Sequence, residues 1–202
     1  MIGASWGGLY ALSAIVSALP LDYALAVVIV QHRRHDAGTL LCELLQDQTS
    51  LHVTEPEDKE PIKAGTVYVA PADYHLLVER DHFTLSLEEA VRFSRPSIDV
   101  AFTSAADTCG SSAVGVVLTG ANEDGAHGLH SIADSGGLAL VQDPASAECA
   151  IMPAAARKLV PGAEVLSLAA LASRIAALRG RDSGTRSSQR VRRARMSNPR
   201  GS

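Results

Sequence analysis

Three residues far apart in the chain could together break an ester. Ser5 sits in Gly3-Ala4-Ser5-Trp6-Gly7-Gly8, after a short apolar start and before an amphipathic run with Leu9, Leu12, Ile15, Val16 and Leu19. The order is strand, tight turn, helix. A serine at such a turn can be pushed out above a sheet in a strained backbone conformation, and Gly3-x-Ser5-x-Gly7 has the spacing of a nucleophile elbow. His32 ends the apolar run Ala26-Val27-Val28-Ile29-Val30-Gln31. Asp124 follows the apolar stretch 114–118 in Thr119-Gly120-Ala121-Asn122-Glu123-Asp124-Gly125. Each therefore stands just past the carboxyl end of an expected parallel strand, where the reactive loops of α/β sheets gather.

In that arrangement Ser5 attacks an acyl carbon. His32 takes its proton and later passes one to the leaving group, and Asp124 fixes the imidazole tautomer. The oxyanion needs two fixed donors. The Trp6 N–H is the natural first, and the loop Gly120-Ala121-Asn122 supplies the second, assigned to Ala121.

Other readings of the same residues stay open at this point. The first turn could be a glycine-rich helix cap with Ser5 at or near the N-cap. It could also be a phosphate-binding turn, but no acid ends a second strand about 20 residues on, as dinucleotide binding requires. A strand-ending histidine can simply bond a neighbouring loop, and Asp124 before Gly125 can be a turn residue or cap. The order Ser, His, Asp differs from the Ser, Asp, His order of α/β-hydrolases. His35 is a second, weaker base candidate. His127 and His130 mimic a metal pair without a third ligand at useful spacing, so no metal is expected. Asp99 and Asp143 read first as capping or turn residues.

The elements that must position these residues follow from periodicity. Helices are expected over 7–19, 38–47, 97–109, 125–135 and 168–178, with a short one after Met152-Pro153. The 38–47 helix should bury Leu40, Leu41, Leu44 and Leu45. Strands are expected over 1–3, 25–31, 51–54, 114–118, 138–142 and 164–166. The first is short for a central strand: either only its last rung is present or the true start lies upstream. The stretches 66–70, 75–79 and 83–87 alternate in hydrophobicity and read as an antiparallel insertion beside the main sheet. The alternation as a whole predicts a three-layer α/β/α sandwich with a mostly parallel sheet and an antiparallel hairpin insertion.

Composition narrows the class. The chain has 202 residues, of which 47% are hydrophobic, enough for one full core. No run approaches the ~18 apolar residues of a bilayer span, so neither membrane insertion nor a signal peptide is expected. Cys42, Cys109 and Cys149 form no paired pattern and read as mostly buried free thiols of a reducing, cytoplasmic compartment. From Arg179 to Ser202, eight arginines and one acid leave +7 on a tail expected to be disordered, against −11 on residues 1–178. So acidic a body argues against nucleic-acid binding.

Taken together, Ile2-Gly3-Ala4-Ser5-Trp6-Gly7-Gly8, Val30-Gln31-His32, Gly65 to Pro71, Arg95-Pro96-Ser97-Ile98-Asp99-Val100, Ala113 to Ala126, Val141-Gln142-Asp143-Pro144 and Met152-Pro153-Ala154-Ala155-Ala156 resemble, in order, the catalytic domain of the CheB family. These are the chemotaxis-receptor protein-glutamate methylesterases. The resemblance implies hydrolysis of glutamate γ-methyl esters on receptor signalling helices with release of methanol, deamidation of receptor glutamines in some members, and no cofactor. It places the family's serine, histidine and aspartate on Ser5, His32 and Asp124. The expected partners are methylated chemoreceptor cytoplasmic helices, with Arg95 and Arg92 lining the cleft and holding an acidic protein substrate. The family's usual N-terminal receiver domain has no room in this chain.

Three positions depart from the family pattern. Ala121 stands where methionine is usual, and Asn122 where glycine is frequent. If a positive φ is needed at 122, asparagine is the best non-glycine choice. Trp6 replaces a small residue, and its bulk is expected to narrow the ester pocket. These departures motivate the alternative of a catalytically impaired relative acting as a binding module in a signalling complex.

Overall fold

The computed structural model describes residues 1–33 and 38–179. His35, and the arginine-rich tail from Gly180 on, lie outside the described residues.

Short β-branched and apolar runs make the strands of one sheet: β1 (Ile2–Ala4), β2 (Val27–Gln31), β3 (His52–Thr54), β4 (Thr66–Val69), β7 (Val114–Val117), β8 (Leu138–Gln142) and β9 (Glu164–Leu166). Their order is β3-β4-β2-β1-β7-β8-β9, and every neighbouring pair is parallel. The chain starts in the middle at β1, builds outward through β2, then returns to lay β7 on the other side of β1. That reversal is the topological switch point at which α/β sheets open a crevice. Two antiparallel strands, β5 (His75–Val78) and β6 (Phe83–Ser86), form the separate hairpin.

Because both faces of a parallel sheet are covered, side chains along one strand alternate between two cores. In β2, Val27 and Ile29 join α1 (Gly8–Val16), α2 (Leu40–Gln46) and α6 (Leu168–Ala176), through Leu12, Ile15, Leu45 and Leu171. Val28 and Val30 join α3 (Ile98–Cys109), α4 (Ala126–Asp134), α5 (Ile151–Leu159) and the hairpin, through Phe102, Leu129, Met152 and Phe83. The result is the expected three-layer sandwich.

Three local expectations are corrected. The 66–70 stretch is not part of the antiparallel insertion: β4 is a parallel strand between β3 and β2. All four of its residues are buried, so its alternation was no guide to a half-exposed hairpin. In α2 only Leu45 and Cys42 are buried, while Leu40 and Leu44 are exposed, because the helix meets the core through a single narrow stripe. Cys109 is exposed rather than buried, at the end of α3.

Candidate active site

Backbone pairing continues one residue past the central strands and sets the positions of two of the three chemical groups. The His32 N–H donates to Ala4 O at 3.1 Å, and the Ser5 N–H to Thr119 O at 3.0 Å. Gln31 then clamps the switchback from below: its Nε2 donates to Ser5 O at 2.8 Å and to His32 O at 3.0 Å. The expected strain is not on Ser5. Gly7 takes the left-handed conformation instead, φ 75°, as the residue before α1, where a side chain would also collide with Glu148. The non-glycine residues with positive φ are Lys59, Asp73, Arg92 and Phe93.

Ser5 Oγ lies 3.2 Å from His32 Nδ1, and His32 Nε2 lies 2.7 Å from Asp124 Oδ2. The short contact to a carboxylate assigns the imidazole proton to Nε2, which leaves the Nδ1 lone pair facing the serine hydroxyl. Asn122 Nδ2 stands 3.4 Å from the same nitrogen, as a donor should.

Asp124 is fully buried and accepts three further hydrogen bonds, all from the start of α3: Ser97 Oγ at 2.9 Å, the Ile98 N–H at 2.7 Å and the Asp99 N–H at 3.0 Å. Burial pushes this carboxyl up. The bonds from His32, Asp99 and Ile98, together with the His32 charge, outweigh burial and hold it below the ordinary aspartate range. Asp99 is shifted the other way. Burial raises it and the neighbouring Asp124 adds to the rise, against the Gly128 and Gly125 N–H groups and Arg92.

The structure thus brings Ser5, His32 and Asp124 into one chain of contacts. Trp6 follows Ser5 in the chain, and the loop that carries Ala121 comes against Ser5 at Gly120, where an added Cβ would lie 3.0 Å from the Ser5 Cβ. Thr119 ties these loops together, donating from Oγ1 to Trp6 O at 2.9 Å while accepting from the Cys149 N–H at 2.9 Å. The Trp6 indole is 66% exposed, so its bulk lies largely in solvent. Asn122 does not adopt positive φ. It acts through its side chain, whose Oδ1 accepts the Asp124 N–H at 3.1 Å.

Both arginines chosen from the sequence have partners within the protein. Arg95 donates to Asp73 Oδ1 at 2.7 and 3.1 Å and to the carbonyls of Leu87 and Glu88 at 2.9 and 3.0 Å. Arg92 is drawn to Asp99 at 3.7 Å and Glu123 at 3.6 Å. These partners come from loops that sequence spacing does not bring together, while Arg95 still lines a cleft with His32. Arg33, not chosen from the sequence, lines the same cleft as His32 and Arg95, and is paired with Glu55.

Ser97 opens the helix expected over 97–109. It caps α3, accepting from the Val100 N–H, and its hydroxyl also serves Asp124. Asp99 goes beyond its expected capping or turn role by receiving the N–H groups of Gly125, just before α4, and Gly128. Asp143 is the turn residue expected, accepting from the Ala145 N–H. His130 pairs with Asp134, and no cluster of three metal-ligating side chains occurs among the described residues. No helix of the described residues is long and apolar enough to cross a membrane.

A parallel α/β sheet that carries a Ser–His–Asp relay at its carboxyl edge has the constitution of a serine hydrolase. The family model for CheB methylesterase matches residues 1–175, and the chain belongs to that family. A putative protein-glutamate methylesterase/protein-glutamine glutaminase of Leptospira interrogans is 46% identical over 173 residues, covering 85% of this chain and 90% of that protein. Protein-glutamate methylesterase/protein-glutamine glutaminase 2 of Saccharophagus degradans is 39% identical over 178 residues, 86% of this chain but 51% of that protein. The catalytic domain of the Thermotoga maritima CheB methylesterase superposes with a TM-score of 0.84 at 29% identity, covering 87% of this chain and 95% of that one.

Proposed function

We propose that this chain is a cytoplasmic serine esterase that hydrolyses glutamate γ-methyl esters on the signalling helices of a chemoreceptor, with residues 1–178 as its catalytic unit. The observation that carries the reading is the relay of 3.2 Å from Ser5 Oγ to His32 Nδ1 and 2.7 Å from His32 Nε2 to Asp124.

The Ser5 hydroxyl gives its proton to His32 Nδ1 as its oxygen bonds the ester carbonyl carbon. The imidazolium is stabilised by Asp124, which stays ionised because its pKa is held low. The N–H groups of Trp6 and Ala121 receive the developing oxyanion. His32 returns the proton to the methoxy oxygen, the C–O bond breaks and methanol leaves. Water, deprotonated by the same imidazole, then frees the glutamate carboxylate and restores Ser5. Applied to a glutamine amide, the same steps release ammonia, and the relatives' names include glutaminase. None of these steps requires a metal or cofactor.

The test is methanol release from a methylated receptor cytoplasmic fragment. The wild-type chain should release methanol, and Ser5→Ala should lose roughly 10³-fold or more of the rate. No serine-dependent release would replace the esterase with the binding-module reading.

A further inference from the structure

We propose that Phe93 is a specificity-determining residue of this esterase: an aromatic contact, presented by a braced turn, for the helical protein segment that carries the esterified glutamate. The proposal rests on the methylesterase reading above.

Val91 and Ser94 exchange both backbone hydrogen bonds, at 3.2 and 2.9 Å. Between them Arg92 and Phe93 both have positive φ, 50° and 62°. Two-residue turns of this hand favour Asn-Gly, because a bulky side chain crowds the backbone in the left-handed region. Here the pair is Arg-Phe. Strain of this kind persists only where surrounding structure enforces it, and it gathers at functional sites.

The enforcement is visible on both sides. Arg95 ties the base of the turn to the carbonyls of Leu87 and Glu88 and to Asp73. Arg92 leans toward Asp99 and Glu123, beside the Asp124 loop.

What the turn presents is the Phe93 ring, fully exposed. The ring contributes to neither core. Phe93 and His32 line one cleft of about 330 Å³, together with Arg33, Ser94, Arg95 and Pro96. The fully exposed aromatic therefore stands at the rim of a cleft that the proposed general base also lines.

A small ester occupies only the neighbourhood of Ser5. A ring at the rim meets what extends beyond the reacting carbon: the methylenes of the esterified side chain and the apolar residues one helical turn away from it. Aromatic side chains, Phe included, are enriched at binding interfaces relative to the rest of the surface.

The test uses Phe93→Gly, which restores the residue that the turn favours and so should not lower the thermal midpoint. Its kcat/KM on a methylated receptor cytoplasmic fragment should fall roughly tenfold, mostly through KM. The ratio of that value to kcat/KM for p-nitrophenyl acetate should fall by a similar factor. Phe93→Tyr, which keeps the ring, should restore the KM. An unchanged receptor KM in Phe93→Gly, or an equal loss on both substrates, overturns the proposal while leaving the esterase reading intact. Failure of the wild-type chain to release methanol removes both.

Discussion

Asp99 and Asp124 brace each other across two helix starts. The Asp99 N–H donates to Asp124 Oδ1 at 3.0 Å, while the Asp99 carboxylate receives the Gly125 and Gly128 N–H groups at 2.9 and 2.8 Å. Each acid thus anchors the segment that carries the other. Their electrostatics are opposed: Asp124 is held below its ordinary range and Asp99 above it.

Opposite shifts predict opposite pH slopes of stability. The stabilisation from Asp124 is present above the unfolded aspartate pKa of about 4 and is lost as pH falls through its lower folded value. The contribution of Asp99 is full below about 4 and is lost as pH rises through its raised folded value. Denaturation from pH 3 to pH 7 should therefore show Asp124→Asn losing ground against the wild type as pH rises. Asp99→Asn should gain ground over the same range. Parallel trends in the two variants would contradict the assigned directions.

At Gly128, α4 packs tightly against α3. A Cβ there would sit 2.5 Å from Phe102 Cβ, 2.9 Å from Asp99 O and 3.0 Å from Asp99 Cα. Two of these neighbours are backbone atoms and cannot turn aside. Gly128→Ala gains helix propensity of about 1 kcal/mol, but overpacking costs up to about 3 kcal/mol and should win. The expected net loss is roughly 1–2 kcal/mol in urea denaturation. Because α3 supplies three of the donors to Asp124, the Ser5-dependent rate should fall with it.

Arg95 binds the protein's own loops at three points. Arg95→Ala removes two carbonyl bonds and the Asp73 pair, at a cost of roughly 1–2 kcal/mol. Most of that loss comes from the carbonyls, since Asp73 is half exposed and its pair is screened. The receptor KM should rise as the turn loosens, by the same factor at low and high salt. A rise confined to low salt would instead restore the direct charge contact expected from the sequence.

Much of the site could be read without coordinates because its chemistry sits at punctuation. Ser5, His32 and Asp124 each follow an apolar run and precede a loop or helix start, and parallel sheets collect such residues at one edge. The support around them left weaker traces. Nothing local to Ser97 or Ile98 marks them as donors to a carboxylate 26 or 27 residues away. Size alone did not show that the Trp6 side chain would be mostly exposed to solvent. Asn122 was weighed for its backbone and turned out to act through its amide.

Residue order by itself determined the layered α/β architecture and the three reactive types at its strand ends, because periodicity and strand-end punctuation are properties of short windows. Tertiary structure alone decided that β4 lies within the parallel sheet and that His32, with the Asp99 and Ile98 N–H groups of α3, holds the Asp124 pKa down. It alone decided, too, that Arg92 and Arg95 serve neighbouring loops. In each case the partner is remote in sequence. Hydrogen bonding and desolvation depend on which groups meet in space, and a window of neighbouring residues carries no record of that meeting.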